Sequence, residues 1–268
     1  MARDHLAPDR MLRRVAREGV LLFGGQRALL MQIAHPAVAA GVHAHSDFRA
    51  HPLTRLLATL DALLVITFGT PAEAEAAIAR IARVHDRVRG VLSEPAAARG
   101  RAYSAHDPAL QLWVLATLID TSALVFQRYV RPFRDGEAEA FHRDWCRFGV
   151  RFGLPTRLLP PDAHAFQGYL AGMLAGGALV VTPAAAIIAR SLLQVPVLPG
   201  GVPLNRAITT GLLPDSLREK YGLPWGRLQR LWFRAADGAL RGLRPLASTV
   251  PVGAPETYLR LRRVLRAL

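Results

Sequence analysis

The segment PALQLWVLATLIDTSALVFQRYV, residues 108–130, gives the clearest indication of the fold. It contains no glycine and no proline after Pro108, and Asp120 and Arg128 are its only charged residues. Asp107 is a suitable N-cap, and proline is common in the first turn of a helix. We therefore predict one long, very apolar helix that begins at about Pro108.

Apolar residues recur at helical spacing on both sides of this segment. Thr70, Pro71 and Glu73 have the pattern of a capping box, which predicts a helix to about Val88 with Gly90 as its terminator. Further helices are predicted over residues 12–21, 25–35, 52–66, 135–149 and 162–174, from Pro36 onward, and as two or three helices between residues 214 and 268.

No segment has a convincing alternation of apolar and polar residues, and none repeats at a fixed interval. The proline- and glycine-rich stretch VPVLPGGVP, residues 195–203, predicts a loop. The predicted fold class is all-α, with residues 1–268 forming a single multi-helix globular domain.

The chain combines a high positive charge with a high apolar content. Of its 268 residues, 34 are basic and 20 acidic, which gives a net charge of +14, and 51% are hydrophobic. This apolar content excludes an intrinsically disordered chain. Lys220 is the single lysine, and the arginines are spread along the chain rather than gathered in one stripe, so we expect no nucleic-acid partner.

The C-terminal segment TYLRLRRVLRAL, residues 257–268, mixes leucines with arginines. It fits peripheral contact with an anionic membrane surface, or packing onto a second subunit of a homo-oligomer. The simpler interpretation is a terminal helix whose apolar residues are covered by arginine stems.

Cysteine usage and apolar runs bear on the compartment. Cys146 is the single cysteine, which excludes an intramolecular disulfide and a cysteine-based zinc or iron–sulfur centre built by this chain alone. Arg13–Arg14 has the form of a twin-arginine pair, but Arg17 and Glu18 interrupt the apolar segment that should follow. The uncharged run Ala171–Ala189 reaches the length of a membrane span, yet its glycines and central proline favour two buried helices. We expect a cytoplasmic protein with neither signal peptide nor transmembrane segment.

The histidines are the main candidates for chemistry, because the common catalytic sequence motifs are absent. Four of the nine lie within seventeen residues, at His35, His43, His45 and His51, with Asp47 nearby. Imidazole and carboxylate groups suit iron, zinc or copper, so this cluster fits a non-haem metal or acid–base enzyme. Helix capping and loop hydrogen bonds are the competing explanation.

His85 differs from these because it lies late in the predicted helix from Pro71, among apolar residues at helical spacing. One interpretation is a core histidine whose ring nitrogens are satisfied by neighbours. The other is an axial ligand to a haem iron, which requires a neutral imidazole on a rigid helix beside an apolar pocket.

Arg55 and Thr59 stand four residues apart and so share a helix face. An arginine on an otherwise apolar helix needs an anion, because an unpaired buried charge is costly. A core carboxylate such as Asp61 or Asp120 would satisfy it, and so would an anionic ligand. Both alternatives remain open from spacing alone.

Five ordered blocks carry a resemblance to a known family: GGQRALLMQIAHPAVAAGVHAHSDF, HPLTRLLATLDALLVITFG, VHDRVRG, RAYSAHDPALQLWVLATLIDTSA and LLPDSLREKYGLPW. They resemble the MpaB-type and rubber-oxygenase (latex-clearing-protein) catalytic domains, a family formerly described as a domain of unknown function. The resemblance extends from about residue 10 to about residue 245, nearly the whole chain.

The resemblance implies a globin-like helical core and a haem b-dependent oxygenase, an oxidoreductase that acts on dioxygen and a small hydrophobic, isoprenoid- or polyketide-like substrate. It implies His85 as the haem iron ligand. It also implies that Arg55 and Thr59 line the opposite, distal side of the haem, with Arg55 available to a propionate or to oxygen and Thr59 available for proton delivery. His35, Arg27 and Asp120 match family-typical positions, and we include His35 among the candidate cofactor-binding residues.

The chain departs from the family pattern at three places. The rubber oxygenases have a lysine just before the matching threonine, where this chain has Ala58. They have an acidic residue upstream of the arginine, whereas the corresponding AVAAGVHAH contains none. Many members have a histidine where this chain has Leu115. The resemblance therefore supports an oxygenase more than it supports rubber cleavage in particular.

Overall fold

The computed structural model describes residues 10–46, 52–195 and 201–247 together with Pro255, Tyr258 and Leu259, but not the side chains of residues 52–57 and 243–247. Within this part the chain forms twelve α-helices and one small sheet, which confirms the all-α prediction. The helices are α1 (Met11–Ala16), α2 (Gly25–Ile33), α3 (Pro36–His45), α4 (Pro52–Phe68), α5 (Pro71–His85), α6 (Pro108–Tyr129), α7 (Glu137–Arg151), α8 (Ala163–Ala175), α9 (Pro183–Leu192), α10 (Gly201–Leu212), α11 (Asp215–Lys220) and α12 (Arg227–Ala247).

The predicted apolar helix is α6, and it begins where its capping residues place it. The backbone N–H of Ala109 donates a hydrogen bond to the Asp107 carboxylate at 2.8 Å, which satisfies one of the free donors of the first turn. By length and composition α6 is the one helix of the described chain that could cross a membrane. However, 56% of its most apolar 18-residue stretch is buried inside the protein, as expected for a core helix.

The uncharged run at Ala171–Ala189 contributes to two separate helices, as predicted, but its α8 part is not buried, because Ala171, Gly172 and Ala175 are exposed. Helix α8 ends at Ala175 and α9 begins at Pro183, with the Thr182 hydroxyl accepting the N–H of Ala185 at 3.2 Å. Neither helix alone reaches the length of a membrane span.

Two short strands were missed by the sequence prediction. The strand β1 (Arg89–Val91) pairs antiparallel with β2 (Ala102–Ser104), with Gly90 opposite Tyr103. Three residues are too few to show an alternation, so this hairpin carries no periodic signal. The prediction that Gly90 ends α5 is wrong, because α5 ends at His85 and Gly90 lies in β1. A Cβ at Gly90 would stand 2.8 Å from the Tyr103 hydroxyl, so the close approach requires glycine.

The predicted loop at residues 195–203 is partly helical. Residues 196–200 lie outside the described part of the chain, but α10 already begins at Gly201 and includes Pro203. Proline is tolerated in the first turn of a helix, and this explains why a proline-rich pattern did not exclude one here.

The buried apolar residues form two main clusters that meet at α6. One contains side chains of α1, α4, α6 and α7, such as Ile66, Leu115 and Phe148. The other joins α2, α3 and α9 around Trp113, which is completely buried. Because α6 contributes to both clusters, it fixes the positions of the helices on either side of it.

A buried arginine–aspartate pair joins Arg27 to Asp120, and the side chain of Arg55 lies outside the described residues. The Arg27 guanidinium on α2 donates to Asp120 at 2.6 Å and to Thr121 at 2.5 Å, both on α6, and to the carbonyl of Leu212 in α10 at 2.7 Å. Asp61, the other carboxylate considered for Arg55, forms an ion pair with Arg80 at 3.7 Å.

Candidate active site

A cavity of about 650 Å³ lies among α3, α4, α5, α6 and α7, beside the hairpin. This volume is within the range of roughly 300–1,000 Å³ usual for small-molecule sites. Its lining is mostly apolar and comes from every one of these helices: Val42, Leu63, Ile66, Ile81, Val114, Leu118 and Phe148 are examples. The cavity therefore suits a ligand with a large apolar surface.

His85 lies at the C-terminal end of α5 and lines this cavity. Helix α5 is positioned by the predicted capping box, in which Thr70 accepts the N–H of Glu73 and the Glu73 carboxylate accepts the N–H of Thr70 at 2.8 Å. Burial lowers the pKa of His85, the His106 ring lowers it further, and Asp86 partly opposes this. A neutral imidazole is the form that binds a metal ion.

Two neighbours of His85, His106 and Asp86, lie outside the cavity lining. The His106 ring stands edge-on to the His85 ring, with 6.0 Å between the ring centroids. His106 in turn contacts the Asp86 carboxylate through Nε2 at 2.8 Å. Asp86 follows the last residue of α5 and His106 lies just after β2, so this exposed pair links the end of α5 to the end of the hairpin.

Helix α4 supplies the other predicted site residues. Thr59 lines the same cavity as His85, so two residues separated by 26 positions in the sequence meet at one site. Ala58 and Leu115, which replace the lysine and histidine of the family pattern, also line it. Arg55 lies on α4 four residues before Thr59, but its side chain is outside the described residues.

Arg80 and Asp61 also line the cavity, and the sequence did not single out Arg80 as a site residue. Arg80 is half-exposed and stands 3.7 Å from Asp61, whose other oxygen accepts a hydrogen bond from the Tyr258 hydroxyl at 2.9 Å. The sequence gave no signal for Arg80, because Arg83 and Arg87 nearby are of the same type and its separation of five residues from His85 does not indicate a shared helix face.

Ser46 contributes an uncommitted polar group to the lining. Its hydroxyl is buried and has no hydrogen-bond partner among the described residues. His45, next to it, contacts the carbonyl oxygen of Arg89 at 3.2 Å. A buried hydroxyl without a partner is costly, so a ligand that filled the cavity would be stabilised by bonding to it.

His35 is not among the residues that line the cavity. It caps α3, where its Nδ1 accepts the N–H of Ala37 at 3.3 Å, and burial lowers its pKa. His43 and His45 lie in the last turn of α3, about 12 and about 15 Å from His35 at the usual helical rise. One ion cannot bind both ends of this helix.

The described residues also contain no group of three or more histidine, cysteine or acidic side chains that could hold a metal ion. Asp47 and His51, the other members of the histidine cluster, lie outside the described residues. The assignment of His35 to cofactor binding stays a prediction.

Comparison with known proteins identifies the family. The family model described as "ER-bound oxygenase mpaB/B'/Rubber oxygenase, catalytic domain" matches residues 12–242. Two curated relatives, from Mycobacterium bovis and Mycobacterium tuberculosis, are each 30% identical over 220 residues, which is 80% of this chain and 84% of the relative. Both are described as uncharacterized proteins. No solved structure matches the chain significantly. Since the match covers most of its length, the chain belongs to the family of MpaB-type and rubber-oxygenase catalytic domains.

Proposed function

We propose that this protein is a haem b-dependent oxygenase that acts on a small hydrophobic substrate. The observation that carries the proposal is the placement of His85: in a chain of an oxygenase family, a half-buried imidazole whose pKa is lowered by burial lines a large and mainly apolar cavity. A haem group needs one such ligand and an apolar enclosure for its ring.

The residues present fit this cofactor by three features. His85 offers the nitrogen ligand, and the apolar lining from α4, α5 and α6 offers contact for the macrocycle. Arg80 offers a cation to a propionate, because it lines the same cavity and is half-exposed. When bound, the haem supplies the dioxygen chemistry that amino-acid side chains do not provide.

Other side chains of the cavity would bind and orient the reactants. Thr59 has a hydroxyl that can donate or relay a proton, and Arg55, one turn earlier on α4, is proposed to assist as an additional hydrogen-bond donor. Ala58 and Leu115 make their part of the wall apolar, which favours an isoprenoid- or polyketide-like substrate over a polar one.

Haemin titration of the purified chain tests the proposal. We expect a Soret band that saturates at one haem per chain and, with the loaded protein, incorporation of isotopically labelled dioxygen into an apolar substrate. His164 on α8 is exposed and outside the lining, so His164→Ala is the matched control for substitution of His85 and should bind haem normally.

Absence of a Soret band after reconstitution would contradict the haem assignment. Metal analysis of protein prepared without chelators separates this result from the alternative. Stoichiometric non-haem metal, with no haem binding, would favour the histidine-cluster enzyme instead.

A further inference from the structure

An apolar stripe is exposed on α12, remote in sequence from the cavity lining. Leu228, Leu231 and Trp232 are 61%, 63% and 58% exposed, and their spacing of three and four residues puts them on one side of the helix. Ala235 and Ala239 continue the same side and are also exposed. We call these five residues the outer stripe of α12.

The opposite side of α12 is firmly packed, so the orientation of the helix is set. Ala236 and Leu240 are buried in a cluster with α6 and α10, and the ring of Phe233 packs against it. Asp237 accepts a hydrogen bond from Arg128 of α6 at 2.6 Å. The outer stripe therefore faces away from the body of the protein.

Arginines border this stripe along one side. Arg227, Arg230, Arg234 and Arg241 are all exposed, and at 100° per residue they fall within about 60° of one another around the helix. The only acidic residue of α12 is Asp237, which lies on the packed side. Among the described residues, no carboxylate pairs with Arg227 or Arg234.

We propose that the outer stripe of α12 and its arginine border bind an anionic lipid surface. Leucine and tryptophan side chains on a helix that lies flat in the interface insert among the acyl chains, while arginine guanidinium groups contact lipid phosphates. Tryptophan is favoured at this depth because its ring is apolar and its N–H can meet water or a headgroup. The site is separate from the cavity and does not depend on the proposed haem.

The size and charge of the surface argue against a second copy of this chain as the occupant. A stable protein interface takes about 20–30 residues from each partner, and the outer stripe has three large apolar side chains. In an antiparallel pair related by a twofold axis, the two arginine borders would also meet on the same side and repel each other.

The tail segment with basic residues is a different surface. Where it is described, Tyr258 bonds to Asp61 of α4 and Leu259 is buried in the cluster of α1, α4, α6 and α7. These contacts lie at α4 rather than at the outer stripe.

Vesicle binding of the full chain tests the proposal. Cosedimentation measures binding to phosphatidylcholine vesicles with and without phosphatidylglycerol. Three proteins are compared: the unmodified chain, the double variant Leu231→Ser with Trp232→Ser, and the double variant Arg227→Gln with Arg234→Gln. Val150→Ser on α7, and the double variant Arg143→Gln with Arg157→Gln, remove exposed groups of the same kinds elsewhere and serve as controls.

We expect binding only to the anionic vesicles, nearly complete loss in the serine variant, and weakening by about fivefold for each arginine removed. The controls should bind like the unmodified chain. The helical circular dichroism of every variant must match that of the unmodified chain. Brominated lipid should quench part of the tryptophan emission of the unmodified chain, and this quenching should be lost in Trp232→Phe.

Equal binding of the stripe variants and the controls would overturn the proposal, and so would binding that ignores lipid charge or no binding at all. A concentration-dependent dimer in lipid-free solution that the serine variant abolishes would also overturn it, in favour of a second copy.

Discussion

Arg80 lies at the edge of the cavity, because its side chain lines the site beside Asp61 and is also 46% exposed to solvent. If it pairs with a haem propionate, Arg80→Gln should weaken haemin binding by about two- to fivefold, the range for a solvent-exposed ion pair. The dissociation constants are measured by absorbance titration.

Haemin dimethyl ester provides the control for Arg80, because it lacks the propionate charges. Arg80→Gln should bind the ester as well as the unmodified chain does. An equal loss of affinity for haemin and for the ester would mean that Arg80 acts through the shape of the cavity and not through its charge.

His35 should make stability depend on pH. Burial lowers its folded pKa below the ordinary value of 6.5, so the unfolded chain takes up the proton more readily. The free energy of unfolding therefore falls as the pH decreases from about 6.5 through the folded pKa. His35→Asn keeps an N-capping acceptor without a titrating group, so it should flatten this part of the pH profile.

Denaturant unfolding across this pH range measures the difference between the two proteins. Near-neutral stability should be similar, since asparagine is a good N-cap. Parallel pH profiles for His35→Asn and the unmodified chain would show that His35 does not titrate as the burial argument requires.

At the level of single residues, the sequence indicated types of interaction better than partners. The apolar spacing around His85 correctly predicted an imidazole facing an apolar interior, because three- and four-residue periodicity is a local property. The partner of Asp120 could not be read in the same way. Arg27 is 93 residues away in the chain, and only the packing of α2 on α6 brings the two together.

At the level of helices, the Arg27 contacts connect α2, α6 and α10. Arg27→Ala would leave the Asp120 carboxylate partly buried without its cation and free a carbonyl in α10. We expect the free energy of unfolding to fall by about 3–5 kcal/mol, as for other broken buried pairs. Chemical denaturation with circular dichroism measures it.

Arg241→Ala gives a comparison within the same protein. Arg241 also bonds to an aspartate, Asp237, but it is 53% exposed, and Arg128 remains to hold the carboxylate. Its removal should cost no more than about 1 kcal/mol. Equal losses for the two variants would contradict the view that burial makes the Arg27 pair important.

Long helices were predicted from the sequence, and the shortest strands were missed. Helix α6 and the capping box of α5 were predicted because each carries a strong local pattern. The β1–β2 hairpin was missed, since each strand has three residues and its pairing depends on the approach of Gly90 to Tyr103. Tyr103 of that hairpin lines the cavity that His85 also lines, so part of the site wall had no sequence signal.

At the scale of the whole molecule, α6 joins the two main apolar clusters, and its N-terminal half lines the cavity together with α3, α4 and α5. The high apolar content of the chain thus supplies several buried clusters and the lining of one large cavity. The excess of arginine serves several roles: Arg27 fixes helices, Arg80 borders the cavity, and the row on α12 borders the outer stripe.

Haem binding through His85 inside this cavity is best tested by a ligand-replacement spectrum. His85→Gly removes the imidazole and leaves space of similar shape. We predict that this variant, with haemin, lacks the Soret band of the unmodified chain, that added free imidazole restores the band, and that helical circular dichroism is unchanged. A band of native position and intensity in His85→Gly without imidazole would contradict the assignment of His85 and place the ligand elsewhere.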